Sequence, residues 1–275
     1  MEITFFGTAA AEGWPAPFCR CPACQEARRR GGPNIRGRAG AMLDNDVKID
    51  FSADTVSQMQ RSGRDLADIH TLVFTHQHSD HVVPTELEWA SGPFTNTPPT
   101  KPIAVYSNTE VQELIRAVFP DPRRINFELK EPMTALHPVV TEFGDRILPL
   151  PADHVKGALL LRIERPAQGR SLFWGHDSGL FPEVTLDALA AAGRVDAAVF
   201  DCTYGGQPSS NRGHLGVDGV IEMAGRLREL GVVDSGTCLI ATHFSHNGGL
   251  MHEDLVATFL PHGIQVAYDG AVFRV

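Results

Sequence analysis

The segment that most restricts this chain is Thr75-His76-Gln77-His78-Ser79-Asp80-His81, placed directly after the β-branched and aromatic run Thr71-Leu72-Val73-Phe74. It sets four metal-ligand side chains within six positions. In a strand continued past Phe74, His76 and His78 point to one face, and a turn after them swings Asp80 and His81 toward the same place. Neutral imidazoles and a carboxylate suit divalent Zn, Mn or Fe, and this density offers ligands for two ions rather than one. A pair of ions needs further donors, and single candidates stand where other apolar runs stop. Asp153 and His154 follow the run closing at Leu150, Asp177 follows Ser171-Leu172-Phe173-Trp174-Gly175-His176, and His243 follows Leu239-Ile240-Ala241-Thr242. The fold must therefore bring several strand ends to one cleft. His176 adjoins Asp177 and is a candidate for a supporting hydrogen bond to it, but alternation along a strand would aim the two apart, so His176 is not expected among the ligands.

Apolar patterning supplies the strands. Short β-like runs recur at 3–6, 47–51, 71–74, 103–106, 125–129, 147–150, 158–163, 171–174, 197–200, 238–241 and 264–267. Asp269-Gly270 reads as a tight turn between the last two strands. Helical spacing is clearest at 109–119, 183–192, 217–230 and 252–260, with Thr109 and Asp218 as N-caps. The early part of the chain is mostly strand, whereas the later part alternates helix and strand. This predicts an α/β (α+β) architecture of two packed sheets with helices outside, in one domain over 1–275. The Pro-rich segment 93–102 reads as an ordered surface loop.

With 275 residues, 43% of them apolar, the chain can bury a core without disulfide staples, so its five cysteines need another use. No apolar run approaches the roughly 20 residues that cross a bilayer. The opening Met1-Glu2-Ile3-Thr4-Phe5-Phe6-Gly7 reads as a first strand rather than an export signal, so the cytoplasm is the expected compartment and no membrane partner is expected. A net charge of −9 disfavours extended nucleic acid. Arg20, Arg28, Arg29, Arg30, Arg36 and Arg38 nevertheless cluster against the single acid Glu26, either as a solvated basic loop or as a local phosphate contact. Within that stretch, Cys19-Arg20-Cys21-Pro22-Ala23-Cys24 gathers three thiols, which in a reducing compartment indicate metal rather than disulfide. Three thiolates and one imidazole close a tetrahedral structural zinc site, and Thr242-His243-Phe244-Ser245-His246 offers His246 as the fourth ligand. Cys202 and Cys238 lie in apolar runs and read as core residues. Trp89, on a short helix after the histidine block, is a packing group with some access to the pocket.

Together these residues resemble the metallo-β-lactamase fold hydrolases, whose motifs include the His-x-His-x-Asp-His block, and the match runs over nearly the whole chain. The resemblance implies an αββα sandwich with two divalent ions, Zn or Mn. His76, His78 and His154 would hold one, Asp80, His81 and His243 the other, and Asp177 would bridge them. Asp50, after Val47-Lys48-Ile49, is similar to the family's early aspartate, which supports the histidine loop without being a ligand. The oxidoreductase branch of the superfamily carries Glu at the third position of the block; His78 stands there, which favours hydrolysis. Two ions about 3.5 Å apart acidify a bridging water, the expected nucleophile, and polarise the electrophile.

The cysteine loop, the opening Gly7-Thr8-Ala9-Ala10-Ala11-Glu12-Gly13-Trp14-Pro15 and the segment 242–246 resemble a narrower group, the phosphoribosyl cyclic phosphodiesterases of the PhnP type. That likeness implies a small-molecule substrate, a cyclic phosphate or nucleotide-like diester, a structural zinc on the cysteine loop, and a homodimer. It also implies a histidine that protonates the leaving alkoxide, and His214, after Asn211-Arg212-Gly213, is the matching position, acting with Asp80 in catalysis. Lactonases and thioesterases of the fold use the same ligands, and the pyrroloquinoline quinone assembly protein has a similar cysteine loop. A lactonase, a thioesterase or a non-catalytic cofactor-assembly protein are therefore the alternatives.

Overall fold

Two seven-stranded mixed sheets lie face to face in the computed structural model, which describes residues 1–209 and 212–275. The strands in chain order are β1 (Glu2–Gly7), β2 (Gly40–Leu43), β3 (Val47–Ile49), β4 (Thr71–Val73), β5 (Ile103–Tyr106), β6 (Phe127–Leu129) and β7 (Val139–Val140). They continue with β8 (Arg146–Pro151), β9 (Leu159–Arg165), β10 (Arg170–Gly175), β11 (Ala197–Asp201), β12 (Cys238–Thr242), β13 (Ile264–Val266) and β14 (Val272–Arg274). One sheet runs β14-β1-β2-β3-β4-β5-β6 and the other β13-β12-β11-β10-β9-β8-β7. In the first, β3, β4, β5 and β6 are mutually parallel; in the second, β10, β11, β12 and β13 are.

The two sheets face each other because their strands are apolar on that side. Phe5, Leu43, Ile49 and Val73 from one meet Leu161, Ile163, Trp174 and Val199 from the other. Phe5 stacks on Trp174 with ring centroids 5.6 Å apart. Each such side chain contributes about 1.5–3 kcal/mol on full burial. The outer faces are apolar too and carry the helices α1 (Pro22–Arg30), α2 (Thr55–Ser62), α3 (Thr109–Val118), α4 (Glu183–Ala192), α5 (Val217–Glu229) and α6 (His252–Phe259). Val111 and Ile115 of α3 pack with Phe74, Val105 and Phe127 on the first sheet. Leu189 of α4, Met223 and Leu227 of α5 and Phe259 of α6 cover the second. The result is the expected αββα sandwich. No described helix is long and apolar enough to cross a membrane.

Several local expectations are corrected. β4 stops at Val73, so the histidine block lies on a loop and not on an extended strand. The run at 125–129 begins as a 3-10 turn, Pro122–Ile125, and becomes strand only after the left-handed Asn126. Asn108, not Thr109, caps α3, its side chain accepting from Val111 N at 2.9 Å. Gly216 precedes α5, and Asp218 instead accepts from Ser209. The turn at Asp269-Gly270 carries the chain from β13 to β14, which are edge strands of different sheets, so no hairpin forms. Residues 91–102 contain no regular element.

Candidate metal centre

Within each parallel ladder the strands end in the same direction, and the chemistry-bearing residues follow those ends: Asp50 after β3, residues 75–81 after β4, His176 and Asp177 after β10, Asp201 at the end of β11, and His243 after β12. This is where open parallel sheets present side chains to ligands. The loop after β4 is tied to both sheets. Leu159 N donates to Thr75 O at 3.1 Å, and Phe51 N donates to His81 O at 2.7 Å.

Three side chains leave their strands through left-handed backbone: Asp50 (φ 56°), Asp177 (φ 56°) and His243 (φ 61°). That conformation is uncommon outside glycine and is kept only where surroundings over-determine it. Here they do. The Asp50 carboxylate accepts from Thr75 N at 3.0 Å and from His81 Nδ1 at 2.7 Å. Its own carbonyl accepts from the buried Lys48 Nζ at 2.5 Å.

Hydrogen bonds also fix which imidazole nitrogen faces the cleft. His81 donates through Nδ1 to Asp50, leaving Nε2 as the lone-pair atom. His154 donates through Nδ1 to Gly213 O at 3.1 Å. At His243, the Thr203 hydroxyl donates to the carbonyl at 2.9 Å and so accepts from Nδ1 at 2.7 Å. Holding one nitrogen to aim the other is the usual support of a metal-binding histidine. The Nε2 atoms of His76, His81 and His243 are buried with no hydrogen-bond partner among the described residues, a need that a divalent ion would satisfy.

The structure gathers His76, His78 and His154 into one set, with ligand atoms within 4.8 Å of one another. A second set places His81 Nε2 3.3 Å and His243 Nε2 3.4 Å from Asp80 Oδ2. Asp177 stands between the sets: Oδ2 lies 3.0 Å from His81 Nε2 and 3.7 Å from His243 Nε2, while Oδ1 lies 3.9 Å from His154 Nε2. Burial resists charge on Asp80 and Asp177, but the imidazoles around them outweigh it and hold both well below the usual carboxylate range. Burial likewise opposes charge on His243, yet Asp177, Asp201 and Asp80 push it up to about 10. Burial, with the surrounding imidazoles, keeps His76 neutral, pushing it far down. The cluster thus demands positive charge, and its nitrogen and oxygen donors fit two divalent ions.

His214 sits beside this cluster. Its Nδ1 donates to Asp201 Oδ2 at 2.7 Å and lies 3.6 Å from Asp177 Oδ1. Burial would lower its pKa, but Asp201 and Asp177 raise it above the ordinary value. Asn211, quoted with it in the sequence, lies outside the described residues.

Away from the cleft, Cys19, Cys21, Cys24 and His246 form a separate group with all four ligand atoms within 4.8 Å. Cys21 caps α1, and its Sγ is 3.4 Å from His246 Nδ1. Burial opposes the Cys21 thiolate, but Cys24 N–H and the neighbouring sulfurs bring it down to about 6, while burial pushes Cys24 up to about 12. Three sulfurs and one nitrogen around one point fit a closed tetrahedral zinc site.

Sequence reasoning gave no role to three contributors. Asp201 was hidden as the last residue of a buried strand, although its place matches that of Asp50. Thr203 carries no motif, and Glu12 stands in the opening segment 7–15 with no role assigned to it; Glu12 accepts from Ser245 Oγ at 2.5 Å and lies 3.6 Å from His246 Nε2. At His176 only the alternation argument is corrected: Gly175 ends β10 and Asp177 turns left-handed, so His176 Nδ1 lies 2.9 Å from Asp177 Oδ2, the supporting contact that its adjacency offered. The arginine cluster is largely committed internally. Arg28 donates to the Cys19 and Ala16 carbonyls, Arg29 and Arg30 to Glu26, buried Arg36 to Thr8 and Ala267 O, and Arg38 to Ala11 O. Trp89 stands edge-on to Phe94 and lines, with Phe51, Leu87 and Phe127, an apolar cavity of about 270 Å³.

Residues 45–244 match the Beta-lactamase superfamily domain. A curated relative, coenzyme PQQ synthesis protein B of Azoarcus sp. (strain BH72), is 24% identical over 326 aligned residues, covering 99% of both chains. Among solved structures, a diphosphatase of the PhnP family is 22% identical with a TM-score of 0.75, covering 100% of this chain and 97% of that one. Zn(2+)-bound PqqB from Methylobacterium extorquens is 17% identical with a TM-score of 0.74, covering 100% of both. At such identities the structural likeness speaks to the fold, and the domain match spans most of the cleft residues described above. The chain belongs to the beta-lactamase superfamily and has its metallo-β-lactamase fold.

Proposed function

We propose that this protein is a dinuclear metal-dependent hydrolase of small phosphodiesters, such as a cyclic phosphate or a nucleotide-like ester. The observation that carries the hydrolase reading is Asp177, with one carboxylate oxygen turned to each imidazole set. Two divalent ions held by those sets would supply Lewis-acid polarisation of an electrophilic oxygen and a water of lowered pKa. Against four positive charges the sets offer only Asp80 and Asp177, and Asp201 is balanced by His214. The loaded cleft would therefore keep net positive charge, which suits an anionic group in the substrate. His214, held by Asp201, is placed to give a proton to a departing alkoxide. The full-length likeness to a PhnP-family diphosphatase supports a phosphate-bearing substrate.

A second reading, a cofactor-synthesis protein without hydrolytic turnover, is favoured by the full-length likeness to coenzyme PQQ synthesis protein B. Metal content and hydrolysis of bis-p-nitrophenyl phosphate, a five-membered cyclic phosphate and an acyl homoserine lactone separate the readings. The wild type should cleave both phosphates, and Asp80→Ala should lose turnover and metal. His214→Ala should lose the alkyl ester while keeping much of the nitrophenyl activity, whose leaving group needs no proton. Full metal loading without phosphate cleavage would overturn the proposal and favour the second reading, or a lactonase if the lactone is opened.

A further inference from the structure

We propose that His176 is a positioning residue of the metal centre, whose Nδ1–H holds Oδ2 of Asp177 so that the carboxylate keeps one oxygen toward each imidazole set. This rests on the two-ion reading above. His176 is buried and follows Gly175, where a side chain could not exist: a Cβ there would stand 2.7 Å from Val199 O. Its ring stacks on Trp174 with centroids 5.3 Å apart and meets the His243 ring edge-on at 4.4 Å. That packing leaves Nδ1 aimed at Asp177 Oδ2, 2.9 Å away, and since a carboxylate oxygen only accepts, Nδ1 is the donor.

The consequence lies in lone pairs. Asp177 Oδ2 has two, and His176 takes one, so the other is directed to the side where His81 Nε2 and His243 Nε2 lie. The terminal torsion of an aspartate is broad. A carboxylate without this donor could turn, and the ion held by His81, His243 and Asp80 would lose a ligand. The set of His76, His78 and His154 keeps three imidazoles of its own and depends less on Asp177.

The test compares wild type, His176→Phe and His176→Asn by zinc content and by competition against a chromophoric chelator, with thermal melting and the cysteine-bound zinc as controls for folding. Phe keeps the stack on Trp174 and removes the donor; Asn restores an N–H near the position of Nδ1. Wild type should take up two exchangeable ions. His176→Phe should keep the first with unchanged affinity and bind the second about 10- to 100-fold more weakly, as loss of such outer partners does. His176→Asn should return within about threefold of wild type. Equal binding of both ions by His176→Phe overturns the inference alone. A failure of Asn to restore binding overturns the donor role and makes His176 a ligand or a packing group. Wild-type protein that takes up no exchangeable ion overturns the two-ion reading together with it.

Discussion

Lys48 is fully buried on β3, and its Nζ donates to the main-chain oxygens of Ile49 at 3.0 Å and Asp50 at 2.5 Å. Burial pushes its pKa down to about 8, with the charge of Asp50 opposing only in part. A lysine in the unfolded chain titrates near about 10.4. Between those values the unfolded chain carries a proton that the folded chain lacks, so stability rises with pH. The cost of burying the ammonium is therefore full below about pH 8 and gone above about pH 10.4. Integrating the linkage from about pH 7.5 to about pH 10 gives a gain of about 2 kcal/mol. The wild-type slope alone does not isolate it, because burial raises the Cys202 thiol, which keeps its proton in the fold and acts in the opposite direction. Lys48→Met removes the titration at similar volume and leaves Cys202 in place. Urea unfolding of both proteins at the two pH values yields the difference directly. The stability of wild type relative to Lys48→Met should increase by about 2 kcal/mol on going to the higher pH. A difference independent of pH would refute the argument, since Lys48 would then titrate in the fold as it does in water.

Other outcomes follow from single contacts. Asp201→Asn should cost about 10- to 100-fold in turnover of diesters with alkyl leaving groups and little with nitrophenyl esters, because Asp201 holds and charges His214; equal losses on both would contradict that role. Cys21→Ser should lose one zinc by elemental analysis and melt several degrees lower, while the cleft retains its ions. Gly7→Ala would place a Cβ 1.8 Å from Arg38 O and should destabilise by about 3 kcal/mol or more. Gly225→Ala, in open space within α5, should instead stabilise by about 0.5–1 kcal/mol, as urea midpoints would report.

The sandwich was legible because its strands are short apolar runs and because the sites that matter follow them. His76, His78, Asp80 and His81 announce themselves by density, and three closely spaced cysteines do the same. Residues that act through one contact do not. Asp201 reads as the end of a buried strand, Lys48 as an ordinary polar position on an alternating one, and Glu12 as a loop acid. The basic run left a solvated loop and a phosphate contact both open, and Arg28, Arg29, Arg30, Arg36 and Arg38 bond to carbonyls, hydroxyls or acids of the chain itself. Charge counts carry no information on where those bonds go.

The deeper reason lies in the backbone. Strand alternation predicts which face a side chain takes only while the strand lasts, and the cleft is made where it stops. Asp50, Asp177 and His243 each turn left-handed at such a point, at a cost of about 1–2 kcal/mol per residue. Nothing in residue type marks those positions. Each is held by bonds formed only in the folded chain: Asp50 by Thr75 and His81, Asp177 by His176, and His243 by Thr203. These bonds aim the free nitrogens and carboxylate oxygens into the cleft without requiring an ion to do so. Strain stored at three strand ends is consequently the means by which the fold prearranges its donors, and it explains why strand alternation fails at His176, beside one of those three residues.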